Sequence, residues 1–387
     1  MAAHGEVEQR WPDLPGDLLS VIYRRSASAY DRARFAAVCS SWRAAAAWQP
    51  RLPALPLLLP STGDGKRDRE ARAYSPEDGR VLRVPLPWFP WGNRLVGSYE
   101  GGWIATVSSS DELLVVNLFS GARAALPSGR RCIRKIVFSK DPSASDCIMA
   151  AMTSQSLVAL GRVSYPESGW TTTWCGSLVD IVFFNGELYG FTSRDLILFD
   201  VDVDKGGALG AIQLFSIDIA MSTLHTAEVS SSAKYIFELH RKLEIVVEVG
   251  PIQFNGNKGC FFRVFELAKN NDTATSHKYA WMEVMSLGEH ALFLGPTGCS
   301  RAVHVPTGCR RGKVEGNRIY YPDQHTSLHN NMKCLEKLNI GSCTVHCLEN
   351  EGKHHLERIV SRGYYYRKDQ DGASGCNGCV WLWPPDF

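Results

Sequence analysis

No apolar run in this chain is long enough to cross a bilayer. The most apolar stretch, residues 52–60 (LPALPLLLP), is broken by prolines and falls far short of the about 20 residues a spanning helix needs. Residues 1–10 are polar and lack an apolar centre, so no signal peptide is expected. Neither sign of charge dominates. With 42 Lys and Arg against 40 Asp and Glu, the formal net charge is +2, which gives no general reason to invoke nucleic acid or a membrane surface. The Gly-x-Ser-x-Gly elbow, the phosphate loop and the dinucleotide fingerprint are missing as well. The motifs therefore nominate no catalytic residue and no cofactor.

What is present is ordinary for a folded intracellular protein: 44% hydrophobic and 21% charged residues over 387 positions. That length calls for a small module plus one large domain, or for several domains. Twelve cysteines are scattered along the chain. Without a secretory signal they are expected as reduced thiols, buried as small hydrophobes. Two groups could hold metal. Cys376 and Cys379 have zinc-knuckle spacing, with Cys334, Cys343, His346, Cys347, His354 and His355 upstream. The spacings match no standard finger and a tetrahedral site needs four convergent ligands, so no metal is expected, and Cys376 and Cys379 are the zinc candidates if one binds. Asp200, Asp202 and Asp204 imitate the start of a calcium loop, but Lys205 and Ala211 stand where it needs glycine and a bidentate acid. Strand alternation puts the same three carboxylates on one solvated face.

The most informative segment is 14–43, LPGDLLSVIYRRSASAYDRARFAAVCSSWR. Pro15 suits the start of a helix, where its missing N–H has no partner to lose. Leu18, Leu19 and Ile22 share one helical face. Asp31 can cap a second helix, on which Phe35, Val38, Cys39 and Trp42 fall at i, i+3, i+4 and i+7, with Ser40-Ser41 as a bend or restart. A unit this short cannot bury both stripes within itself.

From about residue 72 onward the pattern changes to short β-branched and aromatic runs punctuated by Gly, Asn, Asp and Pro: 80–86, 103–107, 113–119, 133–138, 147–152, 157–163, 179–184, 187–191, 196–201, 235–239, 244–249, 261–267, 281–284, 291–294 and 318–321. Asn185-Gly186 is a hairpin signal between two of them. No long amphipathic helix follows the N-terminal unit. So many short strands argue for a sandwich, a barrel or a propeller, and the length favours a propeller. At roughly 40–50 residues per blade, six or seven blades fit. The Trp-Asp dipeptide and the kelch-like double glycine are absent.

Leu14-Pro15, Leu18-Leu19, Arg34-Phe35, Val38-Cys39 and Trp42-Arg43, in that order, closely resemble the F-box. The resemblance implies three short helices that dock on a Skp-type adaptor through Leu14, Pro15, Leu18, Leu19, Ile22, Phe35, Val38, Cys39, Trp42 and Arg43. Segments 74–87, 97–127, 179–203, 262–294 and 316–321 are similar to the KIB-type β-propeller that follows F-boxes in a large plant family. The ending Trp381-Leu-Trp383-Pro-Pro resembles that family's closing strand, while 325–377 depart from its pattern.

The expected layout is a disordered 1–10, an F-box over 11–50, a linker over 51–72 and a propeller over 73–387. The resemblance implies a substrate-recognition subunit of a Skp–cullin–F-box ubiquitin ligase, in the nucleus or cytoplasm. Its partners would be the Skp-type adaptor, through it a cullin–RING ligase, and an unknown target protein, with no nucleic acid and no membrane. The chain would not be an enzyme, and the residues that bind the target are unknown. Two alternatives stay open: a non-degradative F-box–propeller interaction protein, and a propeller enzyme with its active site in the central channel.

Overall fold

The computed structural model describes residues 11–26, 29–49, 53–60, 70–85, 94–108, 110–127, 132–163, 165, 167, 169–192, 195–203, 209–220, 234–254, 257–270, 277–295, 297–306, 312–322, 336–340, 343–350, 360–368 and 379–385. The expected disordered 1–10, along with Cys376, Asp204, Cys334, His354 and His355, lie outside the described residues.

Three short helices come first: α1 (Gly16–Arg25), α2 (Ala29–Ala36) and α3 (Ser40–Ala47). Pro15 occupies the position just before α1, and its carbonyl accepts the Leu19 N–H at 3.0 Å, the geometry proline's fixed φ favours. The expected single stripe through Phe35, Val38, Cys39 and Trp42 is corrected. Helix α2 stops at Ala36, and α3 begins at Ser40, capped by Cys39 in extended conformation, so the helix restarts at Ser40-Ser41 as expected and the four residues do not share one helix. Arg43 Nε donates to the Ala36 carbonyl at 3.2 Å, satisfying one of the oxygens that a helix end leaves open. Leu19, Phe35 and Ala45 form the small core of this unit. Leu14, Ile22, Tyr23, Trp42 and Ala46 pack against it.

The rest is a six-bladed β-propeller. The second blade has Arg94–Tyr99, Trp103–Val107 and Leu113–Asn117. The third has Ile133–Phe138, Ile148–Thr153, Leu157–Arg162 and Thr171–Trp174. The fourth has Leu178–Phe184, Glu187–Thr192, Leu196–Val203 and Leu209–Ser216. The fifth runs from Lys234–Leu239 through Lys242–Phe254, Asn257–Lys269 and Tyr279–Val284 to the short parallel strand Ile219–Ala220. In the sixth, Arg301–His304 and His290–Phe293 pair antiparallel, with Arg318–Pro322 and Val360–Lys368 following in parallel. The first two strands of the fourth blade are joined by a two-residue turn. Asn185 and Gly186 both adopt positive φ, the geometry that a two-residue hairpin requires.

The first blade joins the two ends of the domain. Cys379–Leu382 pairs antiparallel with Leu57–Pro60, which is followed outward by Glu70–Tyr74 and Val81–Pro85. The expected linker over 51–72 is therefore corrected: it carries a central strand of the closing sheet and the start of another. Leu57, Leu58 and Leu59 are buried, which explains an apolar tract that is too short for a membrane.

Each of the six large apolar clusters lies between two neighbouring blades. One joins the sixth blade to the first through Leu58, Tyr74, Phe293, Tyr320, Trp381 and Trp383. Another joins the fourth to the fifth through Phe191, Leu196, Ile236, Phe265 and Trp281. Every blade is thus apolar on both faces, which is why so many of these strands read as continuous apolar runs rather than clean alternation.

Candidate functional site

Three places could carry function: the outer face of the helical unit, its junction with the propeller, and the propeller's central axis.

On the helical unit, the ten residues expected at an adaptor surface separate by exposure. Pro15, Leu18, Val38 and Arg43 are exposed, and Leu14, Ile22, Cys39 and Trp42 are half-buried. Leu19 and Phe35 are 1% and 4% exposed. They build the unit rather than present a surface, and Phe35 stacks against Trp42 at 4.4 Å between ring centres. Leu18 at 49% and Val38 at 54% exposure are large apolar groups left in water, and Val21 lies on the Leu18 face of α1. Trp11 and Trp48 are also strongly exposed. Sequence reasoning missed both, because neither falls on the helical periodicity. The Trp42 indole donates to the Trp11 carbonyl at 3.1 Å, which ties that entry segment to α3. At the start of α3 the Cys39 thiol is held below its ordinary pKa, chiefly by the Ser41 hydroxyl at 3.0 Å and then by the Trp42 N–H.

The junction is polar and partly buried. From α2, Arg32 reaches Glu77 at 3.4 Å, and both side chains are buried. Asp31 meets Arg80 at 3.2 Å. Glu77 and Arg80 belong to the turn between strands Glu70–Tyr74 and Val81–Pro85 of the first blade.

The described residues of the loop that joins His290–Phe293 to Arg301–His304 reach the innermost strands of the first, second and third blades. Lys135 donates to the Gly295 carbonyl at 3.3 Å, Thr297 to the Cys379 carbonyl at 2.9 Å, and the Trp381 indole to the Leu294 carbonyl at 2.8 Å. A Cβ on Gly298 would stand 2.8 Å from Ser98 Oγ, so the loop packs closely against the second blade there. Lys135 also forms a 2.5 Å ion pair with Asp180, whose carboxylate accepts the N–H groups of Ile181 at 2.8 Å and Ile236 at 3.1 Å. Both side chains are buried. Burial pushes the Asp180 carboxyl above its ordinary pKa, against the pull of Lys135 and the two N–H groups. Burial likewise raises the Cys299 thiol. The cluster thus stitches strands of the third, fourth and fifth blades to a loop of the sixth. It has the donors and acceptors of a structural staple.

Register fixes which end of the propeller this loop lies at. Cys379, Lys135 and Asp180 stand near the beginnings of the innermost strands of their blades. The helical unit meets the opposite end, since Tyr74 pairs with Leu58, near Leu57, which pairs with Leu382 at the finish of the closing strand. Of the metal candidates, Cys379 is buried in the core between the sixth and first blades. Asp200 and Asp202 are exposed on Leu196–Val203, at a register irregularity between Val201 and Val203. Among the described residues, no group of three or more His, Cys, Asp or Glu side chains could hold a metal ion.

Comparison with known proteins gives one strong match and several remote ones. No curated protein sequence matches the chain. Among solved structures, the BBS1N–ARL6DN complex is similar at 9% identity, covering 65% of this chain and 79% of that one, with a TM-score of 0.33. The Cps50 (Swd1) β-propeller domain of Myceliophteria thermophila is similar at 10% identity over 64% and 78%, with a TM-score of 0.34. A putative 6-phosphogluconolactonase from Bacteroides uniformis is similar at 9% identity over 84% and 82%, with a TM-score of 0.36. Function does not transfer at such distances. Residues 73–342 match the family model of the KIB1-4 β-propeller, and with well over half of its length inside that match, the chain belongs to the KIB1-4 β-propeller family.

Proposed function

We propose that this protein is the substrate-recognition subunit of a Skp–cullin–F-box ubiquitin ligase. In this reading the helical unit is an F-box that holds a Skp-type adaptor, and the propeller binds a target protein. The observation that carries it is the apolar surface left open on the helical unit, with Leu18 and Val38 about half exposed, directly ahead of a KIB1-4 propeller. Apolar anchors of this kind dominate the energy of a docked interface, and a unit with so few buried residues gains most from a partner.

The chain itself would do no chemistry. The pairing of Lys135 with Asp180 supports that view, because a channel active site needs convergent unpaired groups. Holding adaptor and target on one body raises the target's effective concentration beside the ubiquitin-charged enzyme.

The test is copurification of the full chain with a Skp-type adaptor and cullin. Leu18→Asp with Val38→Asp should weaken adaptor binding by about 30-fold or more, since a hot-spot loss of about 2 kcal/mol is typical. The melting temperature should hardly change, because both side chains already face water. Undiminished adaptor capture by the double variant, or no capture by the wild type, would defeat the proposal.

A further inference from the structure

We propose that Arg32 and Glu77 are positioning residues that lock the helical unit to the propeller in one orientation, so that the two move as one rigid body. The observation begins with burial. Arg32 and Glu77 are 8% and 3% exposed and form an ion pair across the two parts of the chain, 45 positions apart in sequence. A charge taken out of water is tolerated only where a partner and further hydrogen bonds satisfy it. Arg32 has both, since its second terminal nitrogen donates to the Ser26 carbonyl at 3.4 Å.

Glu77 is itself held from a third side. Its carbonyl accepts the Lys313 N–H at 2.7 Å. Gly312, at φ +62°, comes so close that a Cβ there would overlap that same carbonyl oxygen. Lys313 and Gly312 belong to the sixth blade's connection into Arg318–Pro322, whereas Glu77 belongs to the first blade. Helix α2, the first blade and the last blade therefore converge on one turn. Around this centre Arg80 bridges Asp31 of α2 at 3.2 Å and Asp78 of its own turn at 3.8 Å.

The consequence follows from geometry. A flexible tether would let an adaptor and a target sample many relative positions, whereas a buried bidirectional contact selects one. The lock has the chain's own closure behind it: α3 ends at Ala47, and Leu57–Pro60 already lies in the closing sheet. What the orientation achieves rests on the receptor reading above. The lock itself does not, and it can be tested on the full chain alone.

The experiment measures the distance between two fluorophores on encoded unnatural residues at Asp17 of α1 and Glu167 of the third blade, both exposed. The wild type should give one narrow distribution. Arg32→Glu and Glu77→Arg should each broaden or shift it, and the double charge exchange should narrow it again. The propeller's own melting transition is followed in the same samples. If a single exchange also unfolds the propeller, Arg80→Ala, at an exposed side chain, takes its place and should broaden the distribution to a lesser degree. A narrow, unshifted distribution in the folded single variants would overturn the lock, as would a double exchange no narrower than its parents. Adaptor capture measured alongside should stay within about twofold of wild type for a device that orients rather than binds. Loss of adaptor capture in the wild type would sink the receptor reading and leave the distance result standing.

Discussion

The helical unit and the propeller handle large apolar side chains in opposite ways. In the propeller Trp281 and Trp381 are wholly buried between blades, together with Phe191, Phe199, Phe237, Phe265 and Phe293. In the helical unit Trp11, Leu18, Val38 and Trp48 stay in water around a core of Leu19, Phe35 and Ala45. The cause is geometric. A sheet in a closed ring has a neighbour on each face, so the side chains of its inner strands find partners, and large apolar groups it leaves exposed, such as Trp174, Phe215 and Met282, lie on outer strands. Three helices of eight to ten residues enclose almost nothing between them and leave one stripe over. Most of the buried core therefore lies in the propeller, and the helical unit leaves apolar surface open.

Removing the closure breaks the propeller side of this comparison most severely. A fragment starting at Ala73 keeps the family-matching residues but loses Leu57–Pro60 and most of Glu70–Tyr74. The closing strand Cys379–Leu382 would then face no neighbour in its sheet. The fragment should lack a cooperative thermal transition, whereas a chain starting at Pro53 should melt close to the full protein. Equal melting of the two fragments would show that the ring closes without its N-terminal strand.

A smaller effect is expected at the axis. Lys135→Met leaves the buried Asp180 carboxyl without its 2.5 Å partner and should cost about 3–5 kcal/mol, the usual range for breaking a buried pair. Lys135→Met with Asp180→Leu should recover much of that loss, because apolar replacement of a whole buried pair is often neutral or better. Denaturant titration reads both. Equal losses in the single and double variants would mean that the loop, and not the pair, holds the axis.

A further effect, which builds only as pH rises, sits in the fifth blade. Glu244 is buried opposite Glu266, with one carboxylate oxygen that makes no hydrogen bond. Burial, aided by Glu266, raises its pKa from an ordinary 4.5 to about 8. The folded state therefore keeps a proton that the unfolded chain releases. This stabilising contribution is complete below about pH 4.5 and is lost as pH rises towards 8, at a rate on the order of 1.4 kcal/mol per pH unit. Glu244→Gln should flatten that part of the stability profile and raise stability near pH 8. An unchanged slope in denaturant titrations from pH 5 to 8 would place Glu244 in water. The surface pair Leu18 and Val38 should show no such dependence.

Much of the fold was legible. Trp103–Val107 and Ile133–Phe138 stand where short β-branched runs placed them, and Asn185-Gly186 forms its turn. Several of the strands not marked by local pattern have particular compositions. Leu57–Pro60 ends in proline, Thr171–Trp174 is short and polar, and Leu209–Ser216 is an outer strand exposed along most of its length. Local pattern marks a strand only when burial on a definite face selects its residues. At the candidate docking surface, Leu18 and Val38 were legible as apolar positions of two separate stripes. That Leu19 and Phe35 turn inward was not, because helical spacing gives a face but not what covers it.

The sequence by itself determined a small helical unit ahead of a many-stranded β domain, because periodicity and turn residues act over a few neighbouring positions. Only the tertiary structure decided that residues 57–60 complete the ring with 379–382, that Lys135 meets Asp180, and that Arg32 meets Glu77. These contacts join positions far apart in the chain, and no local pattern records which buried charge or which open strand edge will be its partner. Closure of the ring brings them together, and the cost of leaving a buried charge unpaired or a strand edge open makes those pairings the ones that persist.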